Sequence, residues 1–363
     1  MKVLVVINSL SMGGAEKLVA DSLPLYWQRG IEVDLLLLNG KKTSLFKKFS
    51  ETFPGRVISL GTDSVYSFKN IFRLRKHLDG YDIIHVHLFP ALYFTAIAKM
   101  LTASKAKLVY TEHSTNNRRR SKFYFKILDR IIYRSYRRII TIANDVDTQL
   151  KKHLNRNDDA FTIIPNGIEL DRFINAEAYP KSDYVFEDGT ILIQVSSLRS
   201  PKDQFTILRA MPHLQYNVKL LLIGTGPNFP KLQRLINELG LYERVELLGS
   251  RMDVPNLLKT ADIVILSSHY EGLSLSSLEG MASGRPFIAS DAPGLNEIVK
   301  DSGILFPIGD EVALAAEIQR LIDDPVHYQK VVSKCQDRAR QYDINVMVDK
   351  YINVYKSITT NER

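Results

Sequence analysis

The sequence predicts an α/β protein of two Rossmann-like, doubly wound parallel-sheet domains facing a cleft. Three observations predict it. Short β-branched or leucine-rich runs alternate with helical stretches, the pattern of a parallel sheet covered on both faces. The alternation pauses after "IPNGIELDRF" and then restarts. The chain's 363 residues exceed one ordinary core and suit two of about 180 each.

In the first half the runs are "KVLVVI", "VDLLLL", "YDIIHVH", "KLVYTEH", "RRIITIA" and "FTIIP". In the second they are "TILIQVS", "VKLLLIG", "RVELLG", "ADIVILSS", "RPFIAS" and "GILFP". The expected domains are residues 1–170 and 171–344, with a C-terminal helix over 345–363 crossing back onto the first. The N-terminal apolar run is too short to span a bilayer and lacks a small-residue cleavage site, so it reads as a buried strand rather than an export signal. With Cys335 the sole cysteine, a disulfide framework is excluded and a reducing, cytoplasmic location is expected.

The net charge of +8 is unevenly spread. Residues 1–165 hold 27 Lys+Arg against 14 Asp+Glu, whereas residues 166–363 hold 21 against 26. Much of the excess lies in "RRRSKFYFKILDRIIYRSYRR", Arg118 to Arg138. Lys122, Lys126, Arg130, Arg134 and Arg138 recur there every four residues and would form one basic stripe on a helix, with apolar residues between. Such a helix can lie on an anionic membrane surface or simply pack on its own domain. No nucleic-acid recognition motif accompanies the charge.

In open parallel sheets ligands bind beyond the carboxyl ends of the strands. After the first run, Gly13 and Gly14 open a helix, where bare backbone can approach an oxygen or phosphate, or merely turn tightly. His85 and His87, two apart, share one strand face. Without a third ligand nearby they predict no metal site; His85 reads as packed and His87 as able to reach the cleft. His113 ends "YTEH", where it can hydrogen-bond a hydroxyl or a developing charge, or cap a loop. Arg199 and Lys202 follow "TILIQVS" beside a helix start, suiting a diphosphate or solvent. Gly224 and Gly226 form a second glycine turn that would let backbone approach a nucleotide. "HYEGLSLSSLEGMASGRP" then sets Glu271 in a loop, caps a helix with Ser274 or Ser276, and places Glu279 in its second turn. That separation argues against paired-carboxylate hydrolysis. Glu297 opens a further helix and would add a third acid.

"EGLSLSSLE", followed by "GMASGRPFIASDAPGLNE", closely resembles the signature of family 4 retaining glycosyltransferases of the GT-B fold. Arg199, Lys202, "IPNGIEL" and "GGAE" match too, so the resemblance covers nearly the whole chain. It implies transfer of a sugar from a nucleotide diphosphate donor to an acceptor hydroxyl, with retention and with neither cofactor nor metal. His113, Glu271, Arg199 and Lys202 are then the expected catalytic set. Donor binding is expected of Gly13, Gly14, Arg199, Lys202, Gly224, Gly226 and Arg251, and of Gly272, Leu273, Ser274, Leu275 and Glu279. His87, Asn116 and Arg118 are the expected acceptor contacts. A UDP-sugar is the expected donor, with GDP-mannose behind it, and the basic first domain suits a glycan or polyprenyl-linked acceptor used in capsule, exopolysaccharide or lipopolysaccharide assembly.

Gly280 departs from the alanine common in the family; glycine costs a helix interior about 1 kcal/mol, so a close contact is expected there. A nucleotide-sugar epimerase of the same fold and a two-domain solute-binding protein are the rival readings. The first needs acid/base groups on both sugar faces and the second an export signal.

Overall fold

The computed structural model describes residues 1–11, 13–113, 122–184 and 189–360. The chain divides into two compact units, residues 1–167 with 344–363, and residues 168–343. The exchange of chain between them falls about three residues before position 170, at the Gly167–Ile168 bond.

The first unit is built on a seven-stranded parallel sheet in the order β3-β2-β1-β4-β5-β6-β7. The strands are β1 Lys2–Ile7, β2 Glu32–Leu37, β3 Val57–Ser59, β4 Ile83–His87, β5 Lys107–Glu112, β6 Arg138–Thr141 and β7 Phe161–Ile163. The central strands read as continuous apolar runs because helices bury both their faces. β3 was not expected. It is a three-residue edge strand, partly exposed, and so carries no apolar run. His87 therefore ends the fourth strand, with His85 at its middle, and His113 follows the fifth.

The helix Ile344–Thr360 belongs to this unit. Met347, Val348, Tyr351, Ile352, Tyr355 and Ile358 recur at three- and four-residue spacing and are buried. The Tyr355 hydroxyl lies 2.6 Å from His85 Nδ1, and Arg29 pairs with Asp349 at 2.5 Å. The Gly167 amide donates to Met347 Sδ at 3.2 Å, pinning the chain where it leaves the unit.

The basic stripe expected from Lys122 to Arg138 is not one helix. The helix runs only from Phe123 to Ile132, Tyr133–Ser135 form a single 3₁₀ turn, and Arg138 begins β6. Tyr133 and Tyr136 are driven into the core beside Tyr110, which turns the chain inward before the stripe could finish. Among the described residues no helix is long and apolar enough to cross a membrane.

The second unit carries a six-stranded parallel sheet in the order β10-β9-β8-β11-β12-β13. Its strands are β8 Thr190–Val195, β9 Val218–Ile223, β10 Val245–Gly249, β11 Ile263–Leu266, β12 Phe287–Ser290 and β13 Ile304–Phe306. Both sheets grow outward from their first strand and then resume on its other side. Each has a switch point, between β1 and β4 in one unit and between β8 and β11 in the other. A doubly wound sheet opens a ligand crevice at that place.

Candidate active site

At the β8/β11 switch point the loop after β8 holds Arg199 and Lys202, and the loop after β11 holds Glu271. Lys202 Nζ donates to both carboxylate oxygens of Glu271, at 2.5 and 2.6 Å. Ser268 Oγ adds a third hydrogen bond to Glu271, at 2.7 Å. The Glu271 side chain is only 9% exposed and that of Lys202 24%. Arg199, by contrast, is exposed.

Beneath this ion pair lies a buried polar cluster that the sequence reading missed. Gln194 at the end of β8 donates to the Lys202 carbonyl at 3.0 Å and to Ser196 Oγ at 3.2 Å. Ser267 donates to Gln194 Oε1 at 3.0 Å and to the Asp203 carbonyl at 2.8 Å. Gln204 Nε2 reaches Ser196 Oγ at 2.8 Å. The His269 amide donates to the Pro201 carbonyl at 2.8 Å, joining the loops after β8 and β11 directly. These bonds fix the backbone from which Lys202 projects. A glutamine inside the otherwise apolar run "TILIQV" was the available signal.

The Glu271 loop is also held from β12. The Glu271 amide donates to the Pro293 carbonyl at 2.9 Å, and a Cβ on Gly294 would sit 2.2 Å from the Glu271 carbonyl oxygen. After Gly272 and the buried Leu273, Ser274 caps the helix Leu275–Ala282 by accepting the Ser277 amide. The first amides of that helix therefore lie next in sequence to the Glu271 loop, and its N-terminus favours negative charge. Glu279 lies in its second turn and is buried. A Cβ on Gly280 would meet Phe287 at 2.8 Å and Val264 at 2.9 Å. The departure from alanine is thus explained by the helix packing against β11 and β12.

The glycine turn after β9 has a packing reason of its own. Gly224 has φ +136°, and a Cβ there would lie 2.0 Å from the Ser196 carbonyl oxygen; on Gly226 it would lie 2.3 Å from that of Leu198. The absent side chains admit the β8 loop, which is bonded to this turn through the Leu198 amide and Thr225 carbonyl at 3.0 Å. Arg251, after β10, is engaged by Asp253 at 2.9 and 2.5 Å, and Asp253 also accepts from Tyr179. Glu297 is exposed in the first turn of the helix Asn296–Val299.

The β1/β4 switch point of the first unit holds different chemistry. Gly13 caps the helix Gly14–Gln28, and Glu16 folds back over it, accepting from Ser11 Oγ at 2.8 Å. Asn8 ties the loop after β1 to the loop after β4 through the Phe89 carbonyl, at 2.9 Å. His87, expected to be able to reach the cleft, is buried, and its Nδ1 lies 2.9 Å from His113 Nε2. His85 lies beneath it, its ring 4.2 Å away and its Nε2 2.7 Å from the Thr111 hydroxyl. Burial disfavours the charged imidazole, bringing His113 down to about 4 and His85 to about 3, and holding His87 well below its ordinary value. All three are neutral near pH 7, so His113 can bond a hydroxyl but does not carry a positive charge. Its Nδ1, shielded from solvent, has no partner among the described residues. Asn116 and Arg118 lie outside the described residues. Among those described, no group of three His, Cys, Asp or Glu is placed to hold a metal ion.

Residues 12–172 match the model of glycosyltransferase family 4, and residues 175–342 that of the glycosyl transferases group 1. The N-acetyl-alpha-D-glucosaminyl L-malate synthase of Bacillus anthracis is 26% identical over 78% of this chain and 77% of its own length. The UDP-Gal:alpha-D-GlcNAc-diphosphoundecaprenol alpha-1,3-galactosyltransferase of Escherichia coli is 28% identical over 85% of this chain and 83% of its own. Among solved structures, HepE from Anabaena in complex with UDP and glucose superposes with a TM-score of 0.86 at 22% identity, covering 98% of this chain and 99% of that one. The strand order, the charged switch point and these likenesses agree, and the chain belongs to the family 4 glycosyltransferases, with two parallel-sheet domains of the GT-B type.

Proposed function

We infer that this glycosyltransferase takes a UDP-sugar and transfers the sugar, with retention and without a metal, to a hydroxyl of a lipid-linked glycan in surface-polysaccharide assembly. The observation that carries the reading is the Lys202–Glu271 pair at the β8/β11 switch point, next in sequence to the capped helix Leu275–Ala282. Lys202, Arg199 and the first amides of that helix supply positive potential for a diphosphate whose charge grows as it departs. Glu279 lies one turn further on for the ribose hydroxyls. The Escherichia coli relative, named for a UDP-sugar donor and a diphosphoundecaprenol acceptor, supports the donor and acceptor classes.

In this reading the acceptor oxygen forms a bond to the anomeric carbon on the face from which the diphosphate oxygen leaves. The acceptor proton passes to that departing oxygen. Glu271 suits binding better than nucleophilic attack, because its two oxygens already accept three hydrogen bonds. Neutral His113, whose Nδ1 has no partner among the described residues, suits a sugar hydroxyl. The test is nucleotide release from UDP-sugars with and without a polyprenyl diphosphate-linked glycan. Release that requires the acceptor, with product of unchanged anomeric configuration in the presence of chelator, is the expected result. Interconversion of the donor sugar without acceptor would replace this reading with an epimerase.

A further inference from the structure

The histidines of β4 and of the β5 loop form a column braced at its base. β4 and β5 run in parallel with His87 opposite Thr111, which gathers His85, His87 and His113 at one place in the sheet. Both nitrogens of His85 are engaged, Nδ1 at 2.6 Å from the Tyr355 hydroxyl and Nε2 at 2.7 Å from the Thr111 hydroxyl. The Tyr351 ring meets His85 edge-on, with centroids 5.3 Å apart. The helix Ile344–Thr360 therefore holds the first ring of the column in place. The His87 ring lies 4.2 Å from that of His85, and the His113 ring 5.2 Å from that of His87.

His87 is 4% exposed. Among the described residues its one hydrogen bond joins its Nδ1 to His113 Nε2, at 2.9 Å. A polar ring buried this deeply costs free energy unless its hydrogen bond is used, and an apolar side chain would fill the same space without that cost. Burial keeps both rings neutral, and a neutral imidazole has one N–H and one bare nitrogen. Two such rings bonded nitrogen to nitrogen share a single hydrogen, so the ring that lends it decides what the far end of its partner can do. If His87 donates, His113 carries its own hydrogen on Nδ1 and donates there. If His113 donates from Nε2, its Nδ1 accepts. That far nitrogen is the one with no partner among the described residues.

We propose that His87 is a positioning residue for His113: through the Nδ1–Nε2 bond it holds the His113 ring in one tautomer and one orientation, leaving His113 Nδ1 as a hydrogen-bonding atom of fixed sense for a sugar hydroxyl. His87 itself touches no substrate. The sugar contact rests on the reading of His113 given above, whereas the tautomer does not.

Nitrogen NMR of the histidine-labelled full chain reads the tautomer without substrate, the His113 signals being those lost in His113→Ala. At pH 7 His113 should show one protonated and one bare ring nitrogen. In His87→Phe, which keeps a ring against His85, both His113 nitrogens should move to intermediate shifts as the tautomers mix. Unchanged His113 shifts in that variant would overturn the proposal. In transfer from UDP-sugars, His87→Phe should lose about tenfold in kcat/KM, the worth of roughly one hydrogen bond, with UDP affinity unchanged. His87→Asn, whose amide sits where Nδ1 was, should regain most of that loss; His87→Gln, whose amide reaches the Nε2 position instead, should not. The double variant His87→Phe/His113→Ala should be no slower than His113→Ala alone. Additive losses, or equal rescue by the two amides, would reduce His87 to packing and overturn its positioning role. Shifts that respond while turnover does not would leave the tautomer standing and overturn the sugar contact of His113.

Discussion

The two switch points of this molecule share a strand order and almost nothing else. In the second unit the crevice ends of β8 and β11 carry a lysine–glutamate pair supported by buried glutamines and serines. In the first, the ends of β4 and β5 carry three stacked or bonded histidines held neutral by burial. One topology has therefore produced a charged platform at one switch point and a buried, uncharged hydrogen-bonding cluster at the other. The difference teaches that the winding of the sheet chooses the place, while the few polar residues just past the strands choose the chemistry.

The sharpest way to break the comparison is to remove the cation from the charged side. Lys202→Met leaves Glu271 buried without its partner and takes away diphosphate stabilisation. Transfer should fall on the order of 10²–10³-fold in kcat, read from nucleotide release. Stability should drop by about 2 kcal/mol, below the cost for fully buried pairs because Lys202 keeps part of its exposure. A loss under threefold in kcat would remove Lys202 from the machinery.

Gly224→Ala tests whether the glycine turn serves the protein rather than the ligand. A Cβ at φ +136°, 2.0 Å from the Ser196 carbonyl oxygen, must displace the β8 loop. A destabilisation of about 3 kcal/mol or more in urea unfolding is expected; unchanged stability with weaker nucleotide binding would return the turn to the nucleotide.

The buried network can be weighed by Gln194→Leu, which removes one hydrogen-bond partner each from the Lys202 carbonyl, Ser196 and Ser267. It should cost about 1–3 kcal/mol and lower kcat/KM about tenfold. Restoring the amide with Gln194→Asn should recover less than half of the loss, since the shorter side chain cannot span the same bonds. Gly280→Ala, the substitution toward the family's usual residue, gains about 1 kcal/mol of helix propensity. Its Cβ meets Phe287 and Val264 within 3 Å, so a net loss of about 1 kcal/mol is predicted.

On the uncharged side pH is the probe. The buried histidines have pKa values below that of the unfolded chain, so between those values the unfolded state binds more protons. Their contribution is fully present above about pH 6.5 and is lost as pH falls toward 4 for His113 and 3 for His85. Urea unfolding should show stability falling steadily below pH 6.5, and the histidine-to-phenylalanine change at His85 should flatten that slope. Transfer should show no histidine titration near pH 6.5.

How far this could be read from the sequence follows from burial. Twelve of the strands announced themselves because each carries a run of β-branched or leucine residues, longest in the central strands whose faces are both covered. Val57–Ser59 did not, being short and at the edge. Glu271, Lys202 and Ser274 were legible through the strand-end rule and the capping pattern, but their mutual contacts were not, since nothing in sequence separation places residues 202 and 271 together. Gln194 and Ser267 have no spacing signature; only a polar residue interrupting an apolar run hints at them. The four-residue basic period misled because periodicity continues past the point where Tyr133 and Tyr136 must turn into the core.

The central claim is that the charged switch point of the second unit holds the donor's diphosphate while the histidines of the first do not. It is tested most directly by calorimetric titration of UDP into the wild type, Lys202→Met and His113→Ala. The account predicts binding to the wild type, at least tenfold weaker binding to Lys202→Met, and unchanged affinity for His113→Ala. UDP binding that ignores Lys202→Met, or that is lost with His113→Ala alone, would contradict it.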